Sequence, residues 1–252
     1  MKLLLLFLVC FAGNAQIYNG HIQYGVSIGD IEGFSTSKSQ YLKNGFLQAM
    51  ENAPYLSYSL KFRDSVSEFK IDPTTGLDNN GLARARNYSY YMGPILQDHK
   101  YNYTRHAGEF GNFFIKKEHQ KDWEFTSETK KIDGYTCYKA ESKYIVVNPK
   151  GTFVFPLVAW FCPEIPIPFG PLGYGKLPGL ILELQIRNVV YGVTKIQLNL
   201  DKEITIPTVG NTKVISEEEF NLMIDKTMKE LAEKNKKRAA QKKFEELGKI
   251  PE

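Results

Sequence analysis

A chain of 252 residues with 42% hydrophobic content has room for one substantial core, or for one domain and an appendage. The net charge of +4 is modest, with the basic residues mostly near the end, and for a chain expected to be exported nucleic acid is not an expected partner. Past a short N-terminal run, no stretch is apolar enough to cross a membrane.

Residues 1–15 read as a secretory signal peptide: Lys2, an apolar run from Leu3 to Ala12, then Gly13-Asn14-Ala15 with small residues before a cut. About 10 apolar residues are too few for a spanning helix, which needs roughly 20. Cys10 raises lipidation, but Val9 before it is not small and the apolar run continues past it. The mature, exported chain is expected to begin at Gln16.

Residues 16–215 carry the pattern of a β-rich domain. Gly20 to Ile31 alternates as a first strand, and Ser39 to Asn52 places Tyr41, Leu42, Phe46, Leu47 and Met50 at helical spacing. Pro54 stops that helix. In Leu56 to Phe62 every even position is apolar, with Ser57, Ser59 and Lys61 between them, which predicts a strand with one wet face. Arg63-Asp64 turns it into a partner, Val66 to Ile71. Asp72 to Gly81 is rich in Gly, Asn, Asp and Pro and reads as a loop. Tyrosines at 88, 90, 91, 101 and 103 could line a groove, though cross-strand packing is the expectation. Phe113 to His119, Trp123 to Ser127, Tyr135 to Val147 and Val189 to Leu200 follow as short strands. Strands at short intervals, without alternating long helices, give a mainly β (α+β) class: an antiparallel sheet or open half-barrel.

The character changes at residues 216–252, a long C-terminal helix. Ser216 and Glu219 form a capping box, and Phe220, Met223, Ile224, Met228 and Leu231 give an amphipathic first half. Lys234, Lys236, Lys237, Arg238, Lys242 and Lys243 dominate the second half, which reads as a solvated basic end with too thin an apolar face to insert into lipid.

Between Ala159 and Ile186 lies the most distinctive stretch. Five of the twelve prolines fall between Pro163 and Pro178, interleaved with aromatic rings. Each fixes φ and removes a donor, so the run should be a rigid extended crossing, neither helix nor inner strand. Leu177-Pro178-Gly179-Leu180 suits a type II turn with φ > 0 at Gly179, and Leu180 to Ile186 alternates as a strand.

Trp160, Pro163-Glu164, Pro166, Gly170-Pro171 and Leu177-Pro178-Gly179-Leu180-Ile181 resemble the signature of the GLPGLI family, exported proteins of the Bacteroidetes. Lys131 to Ala140, KIDGYTCYKA, resembles a strand of the same family. One departure stands out: Lys176 replaces the first glycine of the motif. The resemblance implies a β-rich envelope protein, in the periplasm or at the outer membrane, associated with TonB-dependent transporters. It implies no catalytic residue.

Export leaves Cys137 and Cys162 in an oxidising compartment. If the strands around Asn148-Pro149-Lys150-Gly151 close as a two-residue hairpin, Cys137 lands opposite Cys162 at a non-hydrogen-bonded site where a disulfide fits. A three-residue loop would put them out of step.

Chemical motifs are scarce. Gly170 to Lys176 has the spacing of a phosphate loop, but Leu177 stands where Ser or Thr would be, and Pro178-Gly179 forbids the helix. His21, His99, His106 and His119 show no metal spacing, no GxSxG elbow is present, and Glu164 and Glu183 are not argued to converge. Asp64-Ser65-Val66 is similar to the O-glycosylation sequon of Bacteroidetes. No catalytic, cofactor or metal residue is therefore nominated. The leading expectation is a non-enzymatic exported protein that binds an envelope protein partner, with the aromatic-proline stretch as contact or buried support. The alternative is a carrier whose curved sheet, lined by Tyr58, Leu60, Phe62, Leu180, Leu182 and Leu184, holds a lipid or other apolar ligand.

Overall fold

The chain is described by a computed structural model covering residues 17–31, 33–73, 80–108, 110–148 and 151–247. The expected leader, with Cys10, lies outside them, as do Pro149 and Lys150 and residues 74–79.

Twelve strands form one sheet: β1 (Asn19–Ile28), β2 (Ser57–Arg63), β3 (Val66–Ile71), β4 (Ile95–Gln97), β5 (Tyr101–Gly108), β6 (Gly111–Glu118), β7 (Glu124–Ile132), β8 (Tyr135–Asn148), β9 (Gly151–Cys162), β10 (Leu180–Ile186), β11 (Val189–Leu198) and β12 (Val214–Ser216). Among the described residues three α-helices accompany them: α1 (Gln40–Asn52), α2 (Asn80–Tyr88) and α3 (Glu217–Leu247). The order is β12-β6-β5-β4-β3-β2-β1-β11-β10-β9-β8-β7, antiparallel except where β12 joins β6. Two runs of strands that neighbour one another in chain order, β1 to β6 and β7 to β11, are thus sewn together by the pairing of β1 with β11.

One connection forces the curvature. β6 ends at Glu118 and β7 begins at Glu124, yet ten strand spacings separate them in the sheet. Laid flat that is about 48 Å, whereas six residue steps reach about 22 Å at most. The sheet must curl until its ends approach. It remains open, the half-barrel that short strand intervals predict.

Chain packs the inside of the curl. At one end α1 and α2 lie over Tyr58 and Tyr191: the Tyr58 hydroxyl meets Ser89 Oγ at 2.9 Å, and the Tyr191 hydroxyl donates to the Ser89 carbonyl at 2.7 Å. At the other end the aromatic-proline stretch crosses from β9 to β5, setting Phe169 against Phe62 with ring centroids 6.2 Å apart. Tyr58, Leu60, Phe62, Leu180, Leu182 and Leu184 are all fully buried in this core. In the carrier alternative these side chains line a cavity; here they are packed against the protein's own chain.

Three local expectations change. The loop assigned to Asp72–Gly81 gives way at Asn80 to α2, whose apolar signal is only Leu82 and Ala85. Ser59, assigned to a wet face, is buried and hydrogen-bonded. Gly179 does not adopt a positive φ; Lys176 does, at 63°.

The cap of α3 forms as its sequence indicates, Ser216 Oγ accepting from the Glu219 amide at 3.0 Å. Only its first turns dock: Phe220, Met223 and Ile224 pack on Phe113 and Ile215. Met228 and Leu231 stay exposed, so the amphipathic stripe outlasts the surface that covers it. No helix among the described residues is long and apolar enough to cross a membrane.

Candidate functional site

The signature residues are built as an internal strut. In Pro163-Glu164-Ile165-Pro166-Ile167-Pro168-Phe169, Ile165, Ile167 and Phe169 turn inward and are buried, while Pro163 and Pro166 stay outside. A buried crossing must satisfy its amides, and proline has none to satisfy. The remaining groups are paired locally: Ile167 N donates to Ile165 O, Leu180 N to Ile165 O, and Ile181 N to Phe169 O. Gly170 packs so tightly that a Cβ there would lie 2.7 Å from Ile181 Cβ. Beyond the short turn at Pro171–Gly173, the Gly173 carbonyl accepts from Gln97 and Asn102, and the Gly175 carbonyl from Trp123. Leu177, Leu180 and Ile181 are core; Pro178 is exposed; a Cβ on Gly179 would collide with the Cys162 carbonyl. Trp160 is half-buried, with the Lys130 ammonium 4.4 Å from its ring centroid. Glu164 accepts from the Thr136 amide and Glu183 pairs with Lys130 at 2.7 Å, so the two carboxylates have separate partners and do not converge.

Polar groups meet in three other places that spacing did not reveal. On β1 and β2, His21 Nε2 lies 2.8 Å from Ser59 Oγ, and Ser59 donates to Asp72 Oδ1 at 2.5 Å. The order is wrong for a nucleophile: the hydroxyl proton is directed at Asp72, leaving Ser59 to accept from His21, so histidine is not its base. His119, missed as a structural residue, is buried between the Asp98 carbonyl and Gln97 Nε2. Burial lowers its pKa, with Lys176 adding to the effect, and the neutral ring suits both bonds. A cleft of about 650 Å³ opens where the sheet ends approach, lined by Lys117 and Glu118 of β6 on one side and by the paired Glu124 and Glu141 with Tyr144 on the other, Asp122 lying on the crossing between them. Lys121, 2.6 Å away, holds the Glu118 carboxyl below its usual range, which makes it no general acid. No group of three or more His, Cys, Asp or Glu among the described residues could hold a metal ion.

The strongest candidate is a projecting ribbon. β7 pairs with β8 no further than Glu141, and β10 pairs with β9 no further than Leu157. Beyond those points only β8 and β9 continue, closing at the pair Asn148 and Gly151. Along this ribbon the alternation of a half-buried sheet disappears: Tyr144-Ile145-Val146-Val147 faces Thr152-Phe153-Val154-Phe155. Runs of that kind belong to strands covered on both faces. Here one face presents Ile145, Val147 and Val154, exposed by 57%, 74% and 56%, and the other carries Phe153, exposed by 39%. Arg187, 4.1 Å from the Phe155 ring centroid, covers only the root.

Residues 150–183 match a family described as "Protein of unknown function (Porph_ging)". No curated protein matches the chain in sequence. A solved structure of PNGF-II, in a P21 space group, superposes with a TM-score of 0.49 at 14% identity, over 82% of this chain and 33% of its own. The chain therefore spans about a third of the length of that protein. The family match takes in β9, the inner strut and the start of β10, so one continuous segment supplies half of the ribbon and much of the packing inside the curl.

The same register carries the cysteines. The Asn148–Gly151 pairing holds without a shift to Tyr138 opposite Phe161, and one further step sets Cys137 opposite Cys162. The carbonyls of Pro156 and Cys162 both bond away from β8, accepting from Arg187 and Ile165, so alternate residues of β9, Cys162 among them, occupy non-hydrogen-bonded pairs with β8. Both thiols are free and buried. Burial pushes Cys137 up to about 12, reinforced by Cys162 beside it.

Proposed function

We propose that the protein is a non-enzymatic, exported component of the cell envelope that holds a protein partner on the β8–β9 ribbon. The observation that carries this reading is the exposed apolar surface on both ribbon faces, where soluble monomers rarely leave such patches without a use. Protein suits the ribbon better than lipid, because its outer edges carry backbone groups that hydrocarbon could not satisfy. The buried interior leaves the signature as the contact's support. The resemblance to the GLPGLI family adds the periplasm or outer membrane as the location and TonB-dependent transport as the setting. We further infer that Cys137 and Cys162 are bridged in the exported protein, across the root of the ribbon.

The test is native mass spectrometry of the mature chain purified gently from its envelope, beside the Val147→Lys/Val154→Lys variant. A complex with a second protein species that the variant loses, while keeping its melting temperature, is the expected outcome. An adduct of a few hundred daltons on a chain without protein partner would point instead to the carrier reading. A complex that survives both lysines removes the ribbon as the contact.

A further inference from the structure

We infer that the free edge of β9 is a homodimer seam: Thr152 and Val154 pair antiparallel with the same residues of a second copy of this chain, joining two ribbons into one four-stranded sheet. The inference rests on the ribbon being the contact surface. It assigns the ribbon's edge to a second copy and leaves the faces to the partner.

The backbone geometry sets the register. In an antiparallel strand the N–H and C=O of one residue point the same way. The Pro156 carbonyl points away from β8, toward the Arg187 amide, and so do the groups of Val154 and Thr152, each two residues earlier. No strand among the described residues pairs with them, because β10 begins its pairing at Leu157. A two-fold axis through Phe153 lets Thr152 exchange two hydrogen bonds with Val154 of the second copy, and Val154 two with its Thr152. Phe153 then faces its own copy at a non-hydrogen-bonded position. Pro156 falls outside the seam, where its missing donor is not needed.

Charge separates this edge from the one the sheet protects. β7, the terminal strand, carries Glu124, Glu128, Lys130 and Lys131, the charges that keep edge strands from pairing. Gly151-Thr152-Phe153-Val154-Phe155-Pro156 carries none, so self-pairing sets no like charges against each other. Joining two ribbons also makes Ile145, Val147 and Val154 of both copies one continuous apolar platform.

The seam is tested by sedimentation equilibrium of the purified mature chain between about 1 and 100 μM, and by cysteine scanning with Cys137 and Cys162 replaced by alanine. A concentration-dependent dimer is expected. Phe153→Cys should cross-link nearly completely under mild oxidation, since opposed Cα atoms at such a site lie about 4.5 Å apart. Ile145→Cys, on the other strand, should not. Val154→Pro removes an outward donor and no bond to β8, and should give a monomer; Val154→Lys should do the same by charge if proline disturbs the strand. A wild-type chain that stays monomeric throughout, or a dimer in which Phe153→Cys fails to cross-link, overturns the seam. A monomer that still binds an envelope protein, and loses it in the Val147→Lys/Val154→Lys variant, overturns the second copy alone and leaves the partner reading standing.

Discussion

At residue scale, two positions three residues apart show how backbone and packing divide the work of a motif. Gly179 is required by proximity, since any Cβ would enter the space of the Cys162 carbonyl. Lys176 occupies the left-handed region at φ 63°, a conformation that suits the glycine found there in the resembled signature. Gly179→Ala should cost about 1–3 kcal/mol in urea unfolding, the range for overpacking, while Pro178→Ala, at an exposed position, should cost far less. Lys176→Gly should be tolerated, and Lys176→Val should destabilise, because a β-branched residue is a poor fit at positive φ. Equal stability of Gly179→Ala and wild type would remove the close approach as the reason for this glycine. The motif is legible in the sequence, but which of its residues bends the chain is not: proline followed by glycine suits a type II turn as well as it suits a tight crossing.

Among the elements, the ribbon and the strut depend on each other through one hairpin. Its register follows from Asn148 facing Gly151, one of the two closings the turn residues allow, and the step to Cys137 and Cys162 is then arithmetic. A bridge there would tie the last position of β9 to β8 just before the chain turns inward. The exported protein should therefore show no alkylation under denaturing, non-reducing conditions, and reduction should lower its stability by on the order of 3 kcal/mol for a loop of about 25 residues. Two alkylated thiols in freshly exported protein would end that proposal. The apolar runs on the ribbon lie in plain sequence, but runs of that kind ordinarily belong to strands covered on both faces. Only the ends of β7 and β10, set by pairings elsewhere in the sheet, reveal that no other strand among the described residues flanks it.

For the whole molecule, closure of the curl and the docking of α3 are separate matters. The short crossing between β6 and β7 draws the sheet ends together, with Trp123 Nε1 donating to the Gly175 carbonyl at 3.1 Å to tie the crossing to the strut. α3, 31 residues long, extends about 46 Å, and among its described side chains only those of the first turns are packed. Removing residues 229–252 should leave the melting temperature within about 2 °C, a shift below 1 kcal/mol for a chain of this size. Phe220→Ala should cost about 3 kcal/mol, the lower end for a buried phenylalanine. A large loss on truncation would show that the outer half of the helix supports the fold.

The sequence by itself determined the class of the fold, the extent of α1, the start of α3, a hairpin between β8 and β9 without its register, and the extended course of the proline stretch. Each follows from local rules: period, capping and the missing amide of proline. Tertiary structure decided that the apolar strand faces enclose the chain's own strut, that Ser59 and His119 are buried, and that no other strand among the described residues pairs along the ribbon. Those outcomes depend on which distant segments come to lie against a surface, and no local pattern records that.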